Sequence, residues 1–282
     1  MRLLKFISIQ VILLQLITMT CDAQYYFRHY QTDDGLSHSS VRSIIQDRKG
    51  FIWIGTRGGL NRFDGYKFKS YKNKADKFGY IGNDIITGLA EDQEGMLWIG
   101  TGRGVFRFNP TTEVFTKLPG INGYINQVSV DKRNNIWIIA FASLYQYDQQ
   151  AKKILNYKLS ATCLAIDKKH NIWFGNNDGV LSKLNTNTRK INTVRLIEKS
   201  ASKNLRSISA IFPTDDQILV GFFKKGLKSY SLKTGRISHL ALSKNKDFEI
   251  FVRDIKWSDS QNFWIATESG IYIYDTKKKH EH

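Results

Sequence analysis

Apolar and polar residues alternate along this chain in short runs separated by turn residues. Between Val41 and Tyr71 the runs are Val41–Asp47, Phe51–Thr56, Leu60–Asp64 and Lys67–Tyr71. A period of two predicts β-strands, and four such runs in succession predict one antiparallel sheet. The first two runs lack clean alternation, as expected of strands covered on both faces by neighbouring sheets.

The same unit then returns. Asp47-Arg48-Lys49-Gly50-Phe51-Ile52-Trp53-Ile54-Gly55-Thr56 and Asp92-Gln93-Glu94-Gly95-Met96-Leu97-Trp98-Ile99-Gly100-Thr101 are its clearest copies. Weaker copies centre on Trp137, Trp173, Leu219 (in the Trp place) and Trp264, so the anchors are spaced 45, 39, 36, 46 and 45 residues apart. A repeat of roughly 40–45 residues holding several strands is the signature of propeller blades. Inner strands are expected to begin near Val41, Ile85, Ile125, Thr162, Ile208 and Val252. The third and fifth units are the most worn: Ile139-Ala140 replaces Gly-Thr, and Phe212-Pro213-Thr214-Asp215-Asp216 replaces the regular turn.

The last unit stops after three runs, ending at Gly270–Asp275. The segment Tyr25–Tyr30, ahead of the first inner strand, resembles its missing outer strand. The expected fold is therefore an all-β propeller of six four-stranded blades over residues 24–276. Its last blade would be completed by the N-terminal strand, which removes an exposed edge. The alternative is an incomplete seven-bladed arc.

Turn chemistry supports the repeat. Asp47 can accept hydrogen bonds from the backbone two or three residues on, and Gly50 supplies a left-handed conformation. The matching pairs are Asp92 with Gly95, Asp131 with Asn134, and Asp167 with His170, which makes His170 a turn residue rather than a ligand. The Trp is expected to fill the wedge between adjacent sheets.

Composition narrows the class. The chain has 282 residues, 41% of them apolar, 13% aromatic and only three Pro, which suits sheets. Residues 1–23 read as a secretory signal peptide: Arg2 and Lys5 precede a nearly apolar run, and Cys21-Asp22-Ala23 offers small residues before a cut at Gln24. An uncleaved anchor, or lipidation at Cys21, is the other reading of that stretch. No later apolar run reaches spanning length, so a periplasmic protein without a transmembrane helix after signal removal is expected. Cys163 then stands alone as a buried, inert thiol. The tail 277–282 reads as a disordered basic end. The formal net charge of +17 favours an acidic partner. Nucleic acid is a poor fit for an exported protein.

The repeat, with Gly59-Leu60-Asn61-Arg62-Phe63-Asp64 after it, resembles the two-component regulator propeller repeat. Asp33-Asp34-Gly35-Leu36-Ser37-His38-Ser39-Ser40-Val41 resembles the start of that family's exported sensor region. The resemblance runs over roughly residues 25–275 and is strongest in the first two units. It implies a periplasmic sensor region of a hybrid two-component histidine kinase that recognises glycan breakdown products. Family sensors usually carry two seven-bladed propellers, an immunoglobulin-like domain, a membrane helix and cytoplasmic kinase and regulator domains. Six units alone resemble a detached or truncated sensor, for which the remainder of a split sensor kinase is an implied partner.

Equivalent turns of a propeller gather on one face. The turns after the Trp strand hold Arg57, Arg103, Phe141, Asn177, Lys224, Lys225 and Glu268, expected to ring one end of the central channel. Arg and Lys can pair with carboxylate or sulfate, and Phe141 can stack on a sugar ring. The Asp turns gather on the other face and carry Arg48, Lys49, Lys132, Arg133, Lys168 and Lys169, a basic face for an acidic partner or an anionic surface. For both sets the plain alternative is solvated turn residues.

The His residues are scattered, and no spacing matches a metal site. Gly100-Thr101-Gly102-Arg103-Gly104 joins two strands and reads as a hairpin, since a phosphate loop needs a following helix. No cofactor and no catalytic set is expected. The leading function is thus a non-catalytic propeller binding an oligosaccharide, with an acidic one favoured by charge. A propeller lyase or hydrolase and a protein-docking scaffold are the alternatives.

Overall fold

A computed structural model describes residues 27–74, 78–199, 201–242, 250–258 and 262–275. The chain divides into two compact units, Met1–Tyr30 and Gln31–His282. The stretch read as a signal peptide and the tail 277–282 lie outside the described residues.

The second unit is a six-bladed β-propeller. Its innermost strands are Val41–Gln46, Ile86–Glu91, Ile125–Val130, Cys163–Ile166, Ile208–Pro213 and Val252–Trp257. Each pairs antiparallel with the second strand of its blade: Ile52–Thr56, Leu97–Thr101, Ile136–Ala140, Ile172–Gly175, Gln217–Phe222 and Asn262–Thr267. Strands follow one another outward in chain order within every sheet. Successive innermost strands pack side by side from the first blade to the sixth. The only helices among the described residues are a 3-10 turn at Thr32–Asp34 and the four-residue Lys203–Arg206.

Among the described residues, five sheets have four strands and the sixth has three. The N-terminal strand expected to complete the sixth blade is not made by the residues described there: Phe27–Tyr30 form no strand, and Tyr25 and Tyr26 lie outside the description.

Each regular blade is built on one Asp. Asp47 Oδ1 accepts the N–H groups of Lys49 and Phe51 at 2.9 and 3.0 Å, and its Oδ2 accepts Trp53 Nε1 at 2.7 Å. Asp92, Asp131 and Asp167 repeat this pattern with Trp98, Trp137 and Trp173 at 2.9, 2.8 and 2.9 Å. The turn residue that follows is left-handed in every copy: Gly50, Gly95, Asn134 and His170 have φ of 90°, 77°, 63° and 65°. His170 is accordingly a turn residue.

Anchored this way, each Trp is buried and reaches the next sheet. Trp53 meets Phe108 edge-on at 5.6 Å, and Trp98 meets Tyr147 at 5.6 Å. Two positions on, a glycine allows close approach: a Cβ on Gly100 would lie 2.8 Å from Ile125 of the third blade. The worn fifth unit uses a substitute turn, in which Thr214 Oγ1 both accepts Gln217 N–H at 3.1 Å and donates to the Gln217 carbonyl at 2.9 Å. Cys163 is buried, with its thiol against the Ile208 carbonyl.

Candidate functional site

In the first two blades the turn after the Trp strand is set by a buried Thr. Thr101 Oγ1 accepts Arg103 N–H at 3.0 Å and donates to the Gly104 carbonyl at 2.8 Å, so the Arg103 side chain is turned out to solvent. Thr56 does the same for the turn holding Arg57. Arg57, Arg103, Phe141, Asn177, Lys224 and Lys225 are all exposed.

They are not brought into one cavity. Arg103 enters a cleft of about 490 Å³ on the second blade, together with Lys74, Phe78, Tyr80, Phe106 and Lys117. Lys225 enters a cleft of about 750 Å³ on the fifth blade with Arg195, Glu198 and Lys228. Arg57, Phe141, Asn177 and Lys224 line neither cleft. Asn177 Oδ1 instead accepts Ser207 Oγ at 2.8 Å, and the Phe141 ring lies over Gly123.

The second-blade cleft is built from a connector and a blade. Asn73 N–H donates to Asp84 Oδ1 at 2.6 Å, closing the base of the connector. Gly79 offers its carbonyl to Phe115 N–H at 3.0 Å, which ties the connector to the outer strand. Gly82 lets the tip of the Phe106 ring approach closely, since a Cβ there would lie 2.6 Å from Phe106 Cζ. Lys74 Nζ sits 4.7 Å from the centroid of the Tyr80 ring. Three cations (Lys74, Arg103 and Lys117) and the aromatic rings of Phe78 and Tyr80 thus share one opening, with no carboxylate among the described residues of its lining. Such an opening can hold a ring by stacking while pairing an anionic substituent. Arg103 was legible from the repeat; Lys74, Phe78 and Tyr80 were not, because the connector departs from it.

The fifth-blade cleft is the same place in another repeat, with Lys228 where Phe106 stands. Lys228 Nζ donates to the Leu196 carbonyl at 3.0 Å. Burial lowers its pKa, helped by the neighbouring charge of Lys225. Burial likewise lowers that of His239, its cross-strand partner, with a further push from Lys228.

The expected basic face divides in two. Arg48 staples the first blade to the second: Nη1 and Nη2 donate to the carbonyls of Gln93 and Asp92, both at 2.6 Å, and Nε lies 3.1 Å from Glu91 Oε1. Lys168 pairs with Asp215 of the fifth blade at 2.7 Å, and Arg133 donates to Asn187 of the fourth. Lys49, Lys132 and Lys169 project into solvent. No group of His, Cys, Asp and Glu able to hold a metal occurs among the described residues, and no helix there is long and apolar enough to cross a membrane.

Comparison with known proteins adds the lineage of the repeat. Residues 35–58 and 79–103 match the family model described as the two component regulator propeller. Histidine kinase P4 of Formosa agariphila is 45% identical over 69 residues, which are 23% of this chain and 5% of that kinase. The extracellular domain of a hybrid two component system from B. thetaiotaomicron superposes with a TM-score of 0.75 at 22% identity, over 92% of this chain and 36% of that one. Virginiamycin B lyase from Staphylococcus aureus superposes with a TM-score of 0.69 at 13% identity, over 86% of this chain and 83% of the lyase. These superpositions establish a shared fold, and the chain spans only a small part of the signalling proteins it matches. What turns, wedges and matched segments establish together is that this six-bladed propeller carries two-component regulator propeller repeats.

Proposed function

We propose that this chain is the ligand-binding propeller of an extracytoplasmic sensor in a two-component system, and that its second-blade cleft takes an acidic oligosaccharide fragment. One observation carries the reading: Lys74, Arg103 and Lys117 share one opening with the aromatic rings of Phe78 and Tyr80, and no carboxylate stands among the described residues of its lining. Sugar rings stack on aromatic faces, and uronate or sulfate groups pair with Arg and Lys. The match of two blades to the regulator propeller repeat supports a role in sensing. The signal-peptide reading of residues 1–23 supports export to the periplasm, where the remainder of a split sensor kinase would read the bound state. The site is proposed as one of binding without turnover.

The test is calorimetric titration of the chain with uronate-bearing, sulfated and neutral oligosaccharides, each followed by mass spectrometry of the sugar. The expected result is binding of an acidic member, recovered intact, and lost in Arg103→Ala and Tyr80→Ala. Binding that survives both substitutions would remove the cleft from the proposal. A recovered sugar that has been cleaved would make the protein an enzyme instead.

A further inference from the structure

The clefts of the second and fifth blades occupy the same place in their repeats and differ in lining. Phe106 and Lys228 each stand opposite the residue that follows the Trp position, Ile99 in one blade and Val220 in the other. Arg103 and Lys225 each stand just before the turn glycine, Gly104 or Gly226. The turn cation is thus retained, while the aromatic ring is replaced by an amine. The second-blade cleft is walled by Phe78, Tyr80, Phe106 and Phe115. The fifth-blade cleft is walled by Leu196, Ile197, Ala201 and Ile237, with no ring among the described residues of its lining. Arg195 adds a third cation there, against the single carboxylate of Glu198.

Hydrogen bonds hold this lining in place. The Gly179 carbonyl accepts Leu196 N–H at 2.8 Å, and the Leu196 carbonyl accepts Lys228 Nζ at 3.0 Å, which ties the connector to both blades. Ala201 N–H donates to the Glu198 carbonyl at 3.2 Å and turns the connector back. Arg195 Nη1 donates to the Asp178 carbonyl at 2.7 Å. Leu196 and Ile197 are buried, and Ile237 is exposed. The charge on Lys228 is disfavoured by burial and by Lys225, and Glu198 offsets only part of this. Two ammonium groups held together on an apolar wall weaken the fold, and an anion paired with both relieves their repulsion. Such an arrangement marks a binding site.

We propose that the fifth-blade cleft is a second binding site, separate from that of the second blade, and that it takes a short-chain aliphatic carboxylate. The carboxylate pairs with Lys225, Lys228 and Arg195, and the chain lies on Leu196, Ile197, Ala201 and Ile237. The guanidinium and ammonium groups match the two oxygens of a carboxylate. Aliphatic walls offer a sugar neither a ring to stack on nor partners for its hydroxyl groups, whereas they draw methylenes out of water, at up to about fourfold in affinity for each one buried. The site stands on its own lining and does not depend on what the second-blade cleft binds.

The test is calorimetric titration of the full chain with octanoate, hexanoate, acetate and 1-octanol. Octanoate is expected to bind with saturation. Hexanoate, shorter by a pair of methylenes, should bind roughly tenfold more weakly. Acetate, which has the head alone, and octanol, which has the chain without the charge, should not bind measurably. Lys228→Met and Lys225→Ala should each weaken octanoate roughly tenfold. Lys225 is exposed in a turn, so its variant decides the matter if Lys228→Met fails to fold. Lys132→Ala removes the same charge from a solvent-exposed turn of another blade and should leave octanoate binding unchanged. The proposal is overturned if octanoate does not saturate, if octanol or acetate binds as tightly as octanoate, or if binding survives the substitutions at 225 and 228. An equal loss in Lys132→Ala would reduce the effect to overall charge and overturn it as well.

Discussion

Asp92 holds Trp98 by its indole: Nε1 donates to Oδ2 at 2.9 Å, while Oδ1 of the same carboxylate accepts the N–H groups of Glu94 and Met96. One buried side chain thereby shapes a turn on the face of the propeller and orients the ring that packs against the third blade. Turn and wedge are one device, which explains why Asp and Trp stay six residues apart in four blades even where the residues between them change.

That device predicts a cost. Asp92→Ala would leave an indole N–H and two backbone N–H groups without their acceptor, and about 3 kcal/mol of stability should be lost. Asp92→Asn retains an acceptor and should lose less. Urea midpoints of the two variants check the order.

Ile139 follows Trp137 as Gly100 follows Trp98, and it shares a buried cluster with Ala161 of the next blade, whereas Gly100 meets Ile125. This exchange of sizes predicts a coupling. Ile139→Gly opens a cavity and should cost about 2–5 kcal/mol. Ala161→Ile overpacks the junction and should cost about 1–3 kcal/mol. The double variant recreates the arrangement of Gly100 and Ile125 and should be more stable than the sum of the two. A double-mutant cycle on urea midpoints measures the difference.

Among the cations on the Asp-turn face, only the inter-blade staples should matter for stability. Arg48→Ala removes two 2.6 Å bonds to carbonyls of the second blade and should cost about 1 kcal/mol, a modest figure because the guanidinium is half exposed. Lys49→Ala, Lys132→Ala and Lys169→Ala should leave the melting temperature unchanged.

Burial pushes the Cys163 thiol up to about 12, so it carries almost no thiolate at neutral pH. Iodoacetamide at pH 8 should leave Cys163 unmodified in the folded protein and modify it in urea. Modification under native conditions would show that the fourth blade opens readily.

Acidification should weaken the fold in two separate windows. The pKa of His239 is lowered from its ordinary 6.5 by burial, so the unfolded chain takes up a proton before the folded one does. Its contribution is complete above about pH 6.5 and is lost as the pH falls through the lowered folded value. Glu113 is lowered chiefly by its hydrogen bonds from Lys69 at 2.6 and 2.7 Å, so its contribution is lost only below its ordinary 4.5. Urea midpoints between pH 8 and 5 should fall in the parent protein and stay flatter in His239→Gln.

Signals that span a few residues were readable directly. The spacing of Asp, left-handed turn residue, Trp and Gly announces a blade, because those atoms touch one another across a single hairpin. His170 was legible for the same reason, and Cys163 was legible from its place in an apolar innermost strand. The three strands of the sixth sheet were legible as well, because each is a run of its own repeat; what Tyr25–Tyr30 pairs with was not, since a segment's composition carries no information about which edge it meets. The candidate site was half legible: Arg103 occupies a repeat position, but Lys74, Phe78 and Tyr80 come from a connector whose residues the repeat does not specify.

By itself, then, the sequence determined the blade, the number of copies and the chemistry of each turn, all of which rest on contacts within one repeat. The tertiary structure decided which cations are spent joining blades and where aromatic rings and positive charge meet in one cleft. Those outcomes depend on residues about 40 positions apart, whose meeting is set by the packing of one sheet on the next rather than by any local pattern.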